Sequence, residues 1–259
     1  MHTREQQLQA FGRLLDIMDE LRSKCPWDQK QTFQSLRHLT IEETYELGDA
    51  ILNNDLQEIK KELGDVLLHI VFYAKIGSET DAFDIADVAE SISEKLIYRH
   101  PHIYGDVEVE NEEQVKQNWE KLKLKEGKDS VLEGVPVSLP AVVKATRIQD
   151  KVAGVGFDWE EPQQVWEKVQ EELAELNAEI IKGNTDAIEA EFGDVLFSLI
   201  NYARFIKVNP ENALERTNKK FINRFQHLEK EAKNLGKSLH DMSLTEMDVF
   251  WNAAKKIYK

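Results

Sequence analysis

Cysteine is nearly missing from this chain: Cys25 is the only one in 259 residues. It has no partner for an intramolecular disulfide, which fits a reducing cytoplasmic compartment, and we read it as structural. Positive charge is also scarce. Lys and Arg total 33 against 48 Asp and Glu, a net charge of −15. That balance argues against nucleic acid and anionic membranes as partners, because both are bound through basic patches. It also means that an anionic substrate needs a cationic intermediary, most simply a metal ion. No apolar run approaches about 18 residues, and the N-terminus lacks a signal-peptide hydrophobic stretch, so no membrane association is expected. Period-two alternation is rare, there is no G-x-x-x-x-G-K-[ST] loop, and no G-x-G-x-x-G follows a strand.

What remains is helical periodicity. Leu8, Phe11, Leu15 and Met18 recur at steps of three and four, as do Val66, Ile70 and Tyr73, and Val195, Leu199 and Tyr202. The fold class expected is all-α. The clearest break runs from Glu126 to Pro140, with Gly127, Gly134, Pro136 and Pro140 in a polar segment. It predicts two units, residues 1–126 and 138–259, with a linker at 127–137.

One acidic pattern occurs twice. Glu42, Glu43, Glu46, Glu62 and Asp65 recur, with unchanged spacing, as Glu171, Glu172, Glu175, Glu191 and Asp194, each 129 positions on. Between 42–74 and 171–203, thirteen of thirty-three aligned positions are identical. A duplicated helical unit accounts for this. In two antiparallel helices joined by a turn, residues equidistant from the turn lie side by side. Glu46 with Glu62, and Glu43 with Asp65, both centre on Asn54; Glu175 with Glu191, and Glu172 with Asp194, both centre on Gly183. Gly and Asn accept the left-handed conformation that ends a helix. Each hairpin therefore brings four carboxylates to one level.

Four carboxylates repel one another unless a cation sits among them. An all-oxygen donor set favours Mg²⁺ or Mn²⁺. The expected ligands are Glu172, Glu175, Glu191 and Asp194 in one unit and Glu43, Glu46, Glu62 and Asp65 in the other. A di-iron centre would use Glu-x-x-His, and none of the seven histidines has a Glu three residues before it. His69, four after Asp65, is read as an interior or partner-satisfied histidine. Lys220 and Arg224 share a helix face, and Lys168 lies one turn before Glu172, so these could meet phosphate oxygens. Trp251 either stacks on a base or caps the core. The first unit has Lys95 and Arg99, but Leu39 stands where the second has Lys168. The second unit is thus the better equipped for catalysis.

Several motifs together resemble the MazG family of nucleoside triphosphate pyrophosphohydrolases in its two-unit form. They are Cys25-Pro26-Trp27-Asp28, Glu42 to Glu46, Glu62-Leu63-Gly64-Asp65, Arg99-His100-Pro101-His102, Ser138-Leu139-Pro140-Ala141 and Val155 to Trp159. The resemblance implies four-helix cores completed by dimerisation into a homodimer. It implies Mg²⁺-dependent hydrolysis of a nucleoside triphosphate to monophosphate and diphosphate, with broad, house-cleaning specificity. By position it assigns Glu172, Glu175, Glu191 and Asp194 to the metal, and Lys168, Lys220, Arg224 and Trp251 to the nucleotide. Ala187 stands near a position where some relatives have a lysine. Glu171 or Glu172 is the candidate base that takes a proton from water. Two other readings remain open at this point: a dUTP- or dCTP-selective enzyme of the same class, and a nucleotide-sensing binding module in residues 1–126.

Overall fold

The computed structural model describes residues 1–111, 114–115, 118–119, 122 and 130–258. Among these there are helices and no strands, as the periodicity predicts. The chain divides into two compact units, Met1–Glu108 and Val109–Lys259. Of the expected linker, residues 127–129 lie outside the described residues. Its later part is tied to the second unit: Lys144 donates to the Val137 carbonyl at 2.5 Å and Lys151 to the Val131 carbonyl at 2.8 Å.

The first unit contains α1 (Arg4–Lys24), a 3₁₀ turn (Asp28–Lys30), α2 (Phe33–Leu52), α3 (Leu56–Ser78), α4 (Ile85–Arg99) and the short α5 (Pro101–Tyr104). Local chemistry sets the starts. Thr3, Thr32 and Asp84 each accept from the third backbone N–H of the helix they precede and are capped in return, and Asp55 accepts from two N–H groups of α3. Met18, Leu36, Val71, Phe72 and Ile76 form the core, with Leu39 packed against it. Leu39 is therefore an apolar contact of the core, and the missing lysine of this unit has a packing reason. Arg22 ties the segment after α1 in place. It forms a two-pronged ion pair with Glu79 at 2.6 and 2.8 Å and also donates to the carbonyls of Asp28 and Gln31.

The second unit contains α6 (Ala141–Ala153), α7 (Pro162–Lys182), α8 (Thr185–Phe205), α9 (Pro210–Asn234), a 3₁₀ turn (Leu239–Asp241) and α10 (Leu244–Ile257). Pro162 and Pro210 open their helices at the position where no N–H is needed. The buried apolar residues include Val165, Val169, Val195, Ile200, Leu228, Ala232 and Ala254.

Both acidic hairpins turn where the symmetry of their carboxylates places the turn. Asn54 has φ +54° between α2 and α3, and Gly183 has φ +73° between α7 and α8. Each hairpin also leaves one apolar stripe exposed, at matching positions. Ile51, Leu63, Leu67 and Ile70 in the first unit correspond to Ile180, Phe192, Leu196 and Leu199 in the second.

Candidate functional site

In the second unit, α7 and α8 lie side by side along the hairpin, which sets Glu172 and Glu175 against Glu191. One carboxylate oxygen from each of these three lies within 4.8 Å of the others. Glu172 is buried and Glu175 exposed. The Glu175 carboxyl is raised above its ordinary range by loss of water, then by hydrogen bonding and charge from Glu172 and the charge of Glu191. Asp194, three residues after Glu191 on the same face, is exposed at the rim and outside the three-carboxylate group. Lys168 bridges Glu171 and Glu172, 2.8 Å from each, and these two carboxylates hold its ammonium firmly protonated.

The first unit repeats the group with Glu43, Glu46 and Glu62. Glu62 is only 3% exposed, and its Oε2 has no hydrogen-bond partner among the described residues. Glu43 and Glu46 are both raised, first by loss of water. The strongest charge on Glu43 is Asp65 and on Glu46 is Glu62, the same pairs that the turn symmetry predicts. The positive charge comes from an unexpected place. Lys61 on α3 sits 2.8 Å from Glu62 and 3.4 Å from Glu58, whereas the position matching Lys168 is Leu39 in the core. Lys61 went unnoticed because adjacent residues point to different helix faces, and its match in the second unit is Ala190. His69 is buried, as expected, with its Nδ1 unpartnered among the described residues. Burial lowers its pKa, and Asp65 opposes that shift.

Both clusters suit a hard divalent cation. They offer oxygen alone, they gather more negative charge than the neighbouring lysine offsets, and one leaves a buried carboxylate oxygen unpaired. Magnesium holds ligand oxygens at about 2.0–2.1 Å, so those on opposite sides of the ion are about 4.2 Å apart.

The remaining candidates sit on other elements. Arg224 on α9 donates twice to the Tyr258 carbonyl, at 2.9 and 2.7 Å, which fastens α9 to the end of α10. Lys220 lies one turn earlier and is half-buried. Trp251 on α10 packs on Phe221 of α9 with ring centroids 4.9 Å apart and is half-buried. In the first unit Lys95 is exposed on α4, and Arg99 closes that helix.

Comparison with known proteins now bears on this arrangement. The model of the MazG nucleotide pyrophosphohydrolase domain matches twice, over residues 31–104 and 160–229, each time spanning one acidic hairpin. The chain belongs to the MazG nucleotide pyrophosphohydrolase family. It is similar along most of its length to the nucleoside triphosphate pyrophosphohydrolase/pyrophosphatase MazG of Thermotoga maritima, at 42% identity over 95% of both chains. The nucleoside triphosphate pyrophosphohydrolase of Escherichia coli K12 is 40% identical over 96% of this chain and 98% of that one. The uncharacterized protein YabN of Bacillus subtilis is 48% identical over 95% of this chain and 52% of its own length, so the doubled MazG unit there forms about half of a longer chain. The acidic pairs of this MazG protein thus lie within the matched segments of both units. No helix among its described residues is long and apolar enough to cross a membrane.

Proposed function

We propose that the chain is a Mg²⁺-dependent nucleoside triphosphate pyrophosphohydrolase of broad specificity, with residues 138–259 as its main catalytic unit. The observation that carries this reading is the convergence of Glu172, Glu175 and Glu191 within 4.8 Å, with Lys168 on the same helix. Glu172, Glu175, Glu191 and Asp194 would hold the ion, with Mn²⁺ as a substitute. The bound ion supplies neutralisation of triphosphate charge and a lowered pKa for water.

The chain's own groups do the rest. Glu171 or Glu172 accepts a proton from the attacking water. The oxygen of that water forms a bond to phosphorus, the bond between the α- and β-phosphates breaks, and diphosphate leaves with the electron pair. Lys168, Lys220 and Arg224 supply positive charge for the phosphates. Trp251 completes the nucleotide-binding set. The first unit, Met1–Glu108, is a second metal-competent unit, in which Lys95 and Arg99 match Lys220 and Arg224. The apolar core position of Leu39 favours a binding duty there over turnover.

The exposed stripe at matching positions of both hairpins supports a homodimer in which facing hairpins complete four-helix cores. The single cysteine supports a cytoplasmic setting. Diphosphate release from ATP and other nucleoside triphosphates in Mg²⁺ tests the site assignment. Glu175→Ala and Asp194→Ala are expected to abolish it with helicity retained. Full activity in both variants would move the site to the first unit.

A further inference from the structure

The guanidinium of Arg224 is gripped by backbone. Its Nε and Nη2 both donate to the Tyr258 carbonyl, at 2.9 and 2.7 Å. A guanidinium is a flat fork whose N–H donors point in fixed directions, one from Nε and two from each terminal nitrogen. The two bonds to a single oxygen take the side edge of that fork and fix its plane. The end edge keeps one N–H from Nη1 and one from Nη2, side by side. Such a pair takes two oxygens of one phosphate.

The carbonyl is itself held in place. Tyr258 leaves α10 in extended backbone, with φ −104° and ψ 91°. A helical residue aims its carbonyl along the helix axis, and this one turns away from it. The Tyr258 N–H still donates to the Ala254 carbonyl at 2.8 Å, which fastens the residue to the last turn of α10. Its ring stands edge-on to His227 of α9, with centroids 6.2 Å apart. His227 follows Arg224 by three residues and shares its helix face. The ring and the carbonyl of Tyr258 therefore rest on one patch of α9. Both Tyr258 and Arg224 are half-buried, so water competes only in part for this contact.

The clasp matters for affinity. A long side chain that is free in solvent gives up rotamer freedom when it grips a ligand, and this weakens binding. A side chain already ordered by its own fold has given up that freedom beforehand.

We infer that Tyr258 is a positioning residue for Arg224: its carbonyl holds the side edge of the guanidinium, so that the end edge is preset for a phosphate of the substrate. The inference rests on the nucleotide reading of Arg224. It gives the residue after α10 a part in the proposed reaction, through Arg224 and without contact to substrate.

The test uses the full-length protein. Tyr258→Pro displaces the carbonyl, because proline removes the N–H bond to Ala254 and disfavours helical backbone at Ile257. Tyr258→Phe keeps the ring contact and the carbonyl. Circular dichroism checks folding, and Tyr258→Gly, which loses the ring anchor, replaces the proline variant if that one does not fold. NMR exchange of the Arg224 Nε–H reads the clasp. Slow exchange is expected in the unaltered protein and in Tyr258→Phe, and fast exchange in Tyr258→Pro. The kcat/KM for ATP with Mg²⁺ is expected to fall about tenfold in Tyr258→Pro, the effect of leaving one long side chain unordered, and to stay within about twofold in Tyr258→Phe. The same change in an Arg224→Ala background separates positioning from general support of α10, since Tyr258→Pro should there cost less than about twofold more. Slow exchange that persists in Tyr258→Pro, full activity despite fast exchange, or an equal loss in the Arg224→Ala background would overturn the assignment. If the unaltered protein releases no diphosphate from any nucleotide, the reaction reading falls. Calorimetric binding of inorganic triphosphate with Mg²⁺ then decides on the clasp alone. A Kd raised about tenfold in Tyr258→Pro supports it. Equal Kd values, or no binding to the unaltered protein, overturn it.

Discussion

Replacing Lys168 with leucine gives the second unit the residue that the first carries at position 39. Its effect on stability is small. Lys168 makes two ion pairs, both at 2.8 Å, but more than a third of its side chain is exposed. Exposed pairs contribute about 0.2–1 kcal/mol each, and leucine and lysine have similar helix propensity. The expected loss is about 2 kcal/mol at most, a shift of about 4–8 °C in Tm. The effect on turnover is far larger, because the lysine is a preorganised positive charge beside the carboxylates proposed to hold the ion. Losing one such group costs about 10²–10³-fold in turnover, roughly 3–4 kcal/mol. Calorimetry and diphosphate release on the same sample separate the two effects. A Lys168→Leu protein that melts near the unaltered one and is at least a hundredfold slower supports the argument. A folded variant that keeps more than a third of the original kcat/KM would refute it, since Lys168 would then be a surface ion-pair partner only.

Two further outcomes concern the hairpins themselves. At Gly183 a new Cβ meets nothing within 4 Å, so the strain in Gly183→Val is that of the left-handed backbone alone. About 1–2 kcal/mol of stability should be lost in thermal unfolding, while Asn54→Gly changes stability by less than about 0.5 kcal/mol. The raised carboxyls of Glu43, Glu46 and Glu175 set a pH dependence. A raised folded-state value means that the native state keeps a proton the unfolded chain has already lost. Their contribution is full below the ordinary carboxylate value of 4.5 and is lost as pH rises through the folded value. The gap in Tm between Mg²⁺ and EDTA should therefore widen from pH 5 to pH 8, and a gap independent of pH would contradict metal binding at these groups.

Much of this was legible in the chain because it is set by local geometry. Residues equidistant from a turn meet, which located Asn54 and Gly183 and paired Glu43 with Asp65 and Glu46 with Glu62. The difference between Leu39 and Lys168 was visible as well, although its cause, contact with the Met18 and Leu36 core, needed the fold. What escaped depends on tertiary approach. Gln149 meets the Phe197 carbonyl across 48 positions and Arg204 meets Asp158 across 46, with no periodicity to announce either. Lys61 escaped for the opposite reason, since a contact between chain neighbours leaves no trace in a pattern of threes and fours. In the sequence Arg224 reads as a candidate phosphate contact beside Lys220. In the fold it is also the clasp on Tyr258, an arrangement that depends on where α10 ends.

The second hairpin, loaded with Mg²⁺, is proposed to cleave nucleoside triphosphates between the α- and β-phosphates. Phosphorus NMR of ATP with the full-length protein and Mg²⁺ tests it most directly, read beside Glu191→Gln at equal concentration. AMP and diphosphate in equal amounts are expected from the unaltered protein and neither from the variant. ADP with orthophosphate, or undiminished diphosphate from Glu191→Gln, would contradict it.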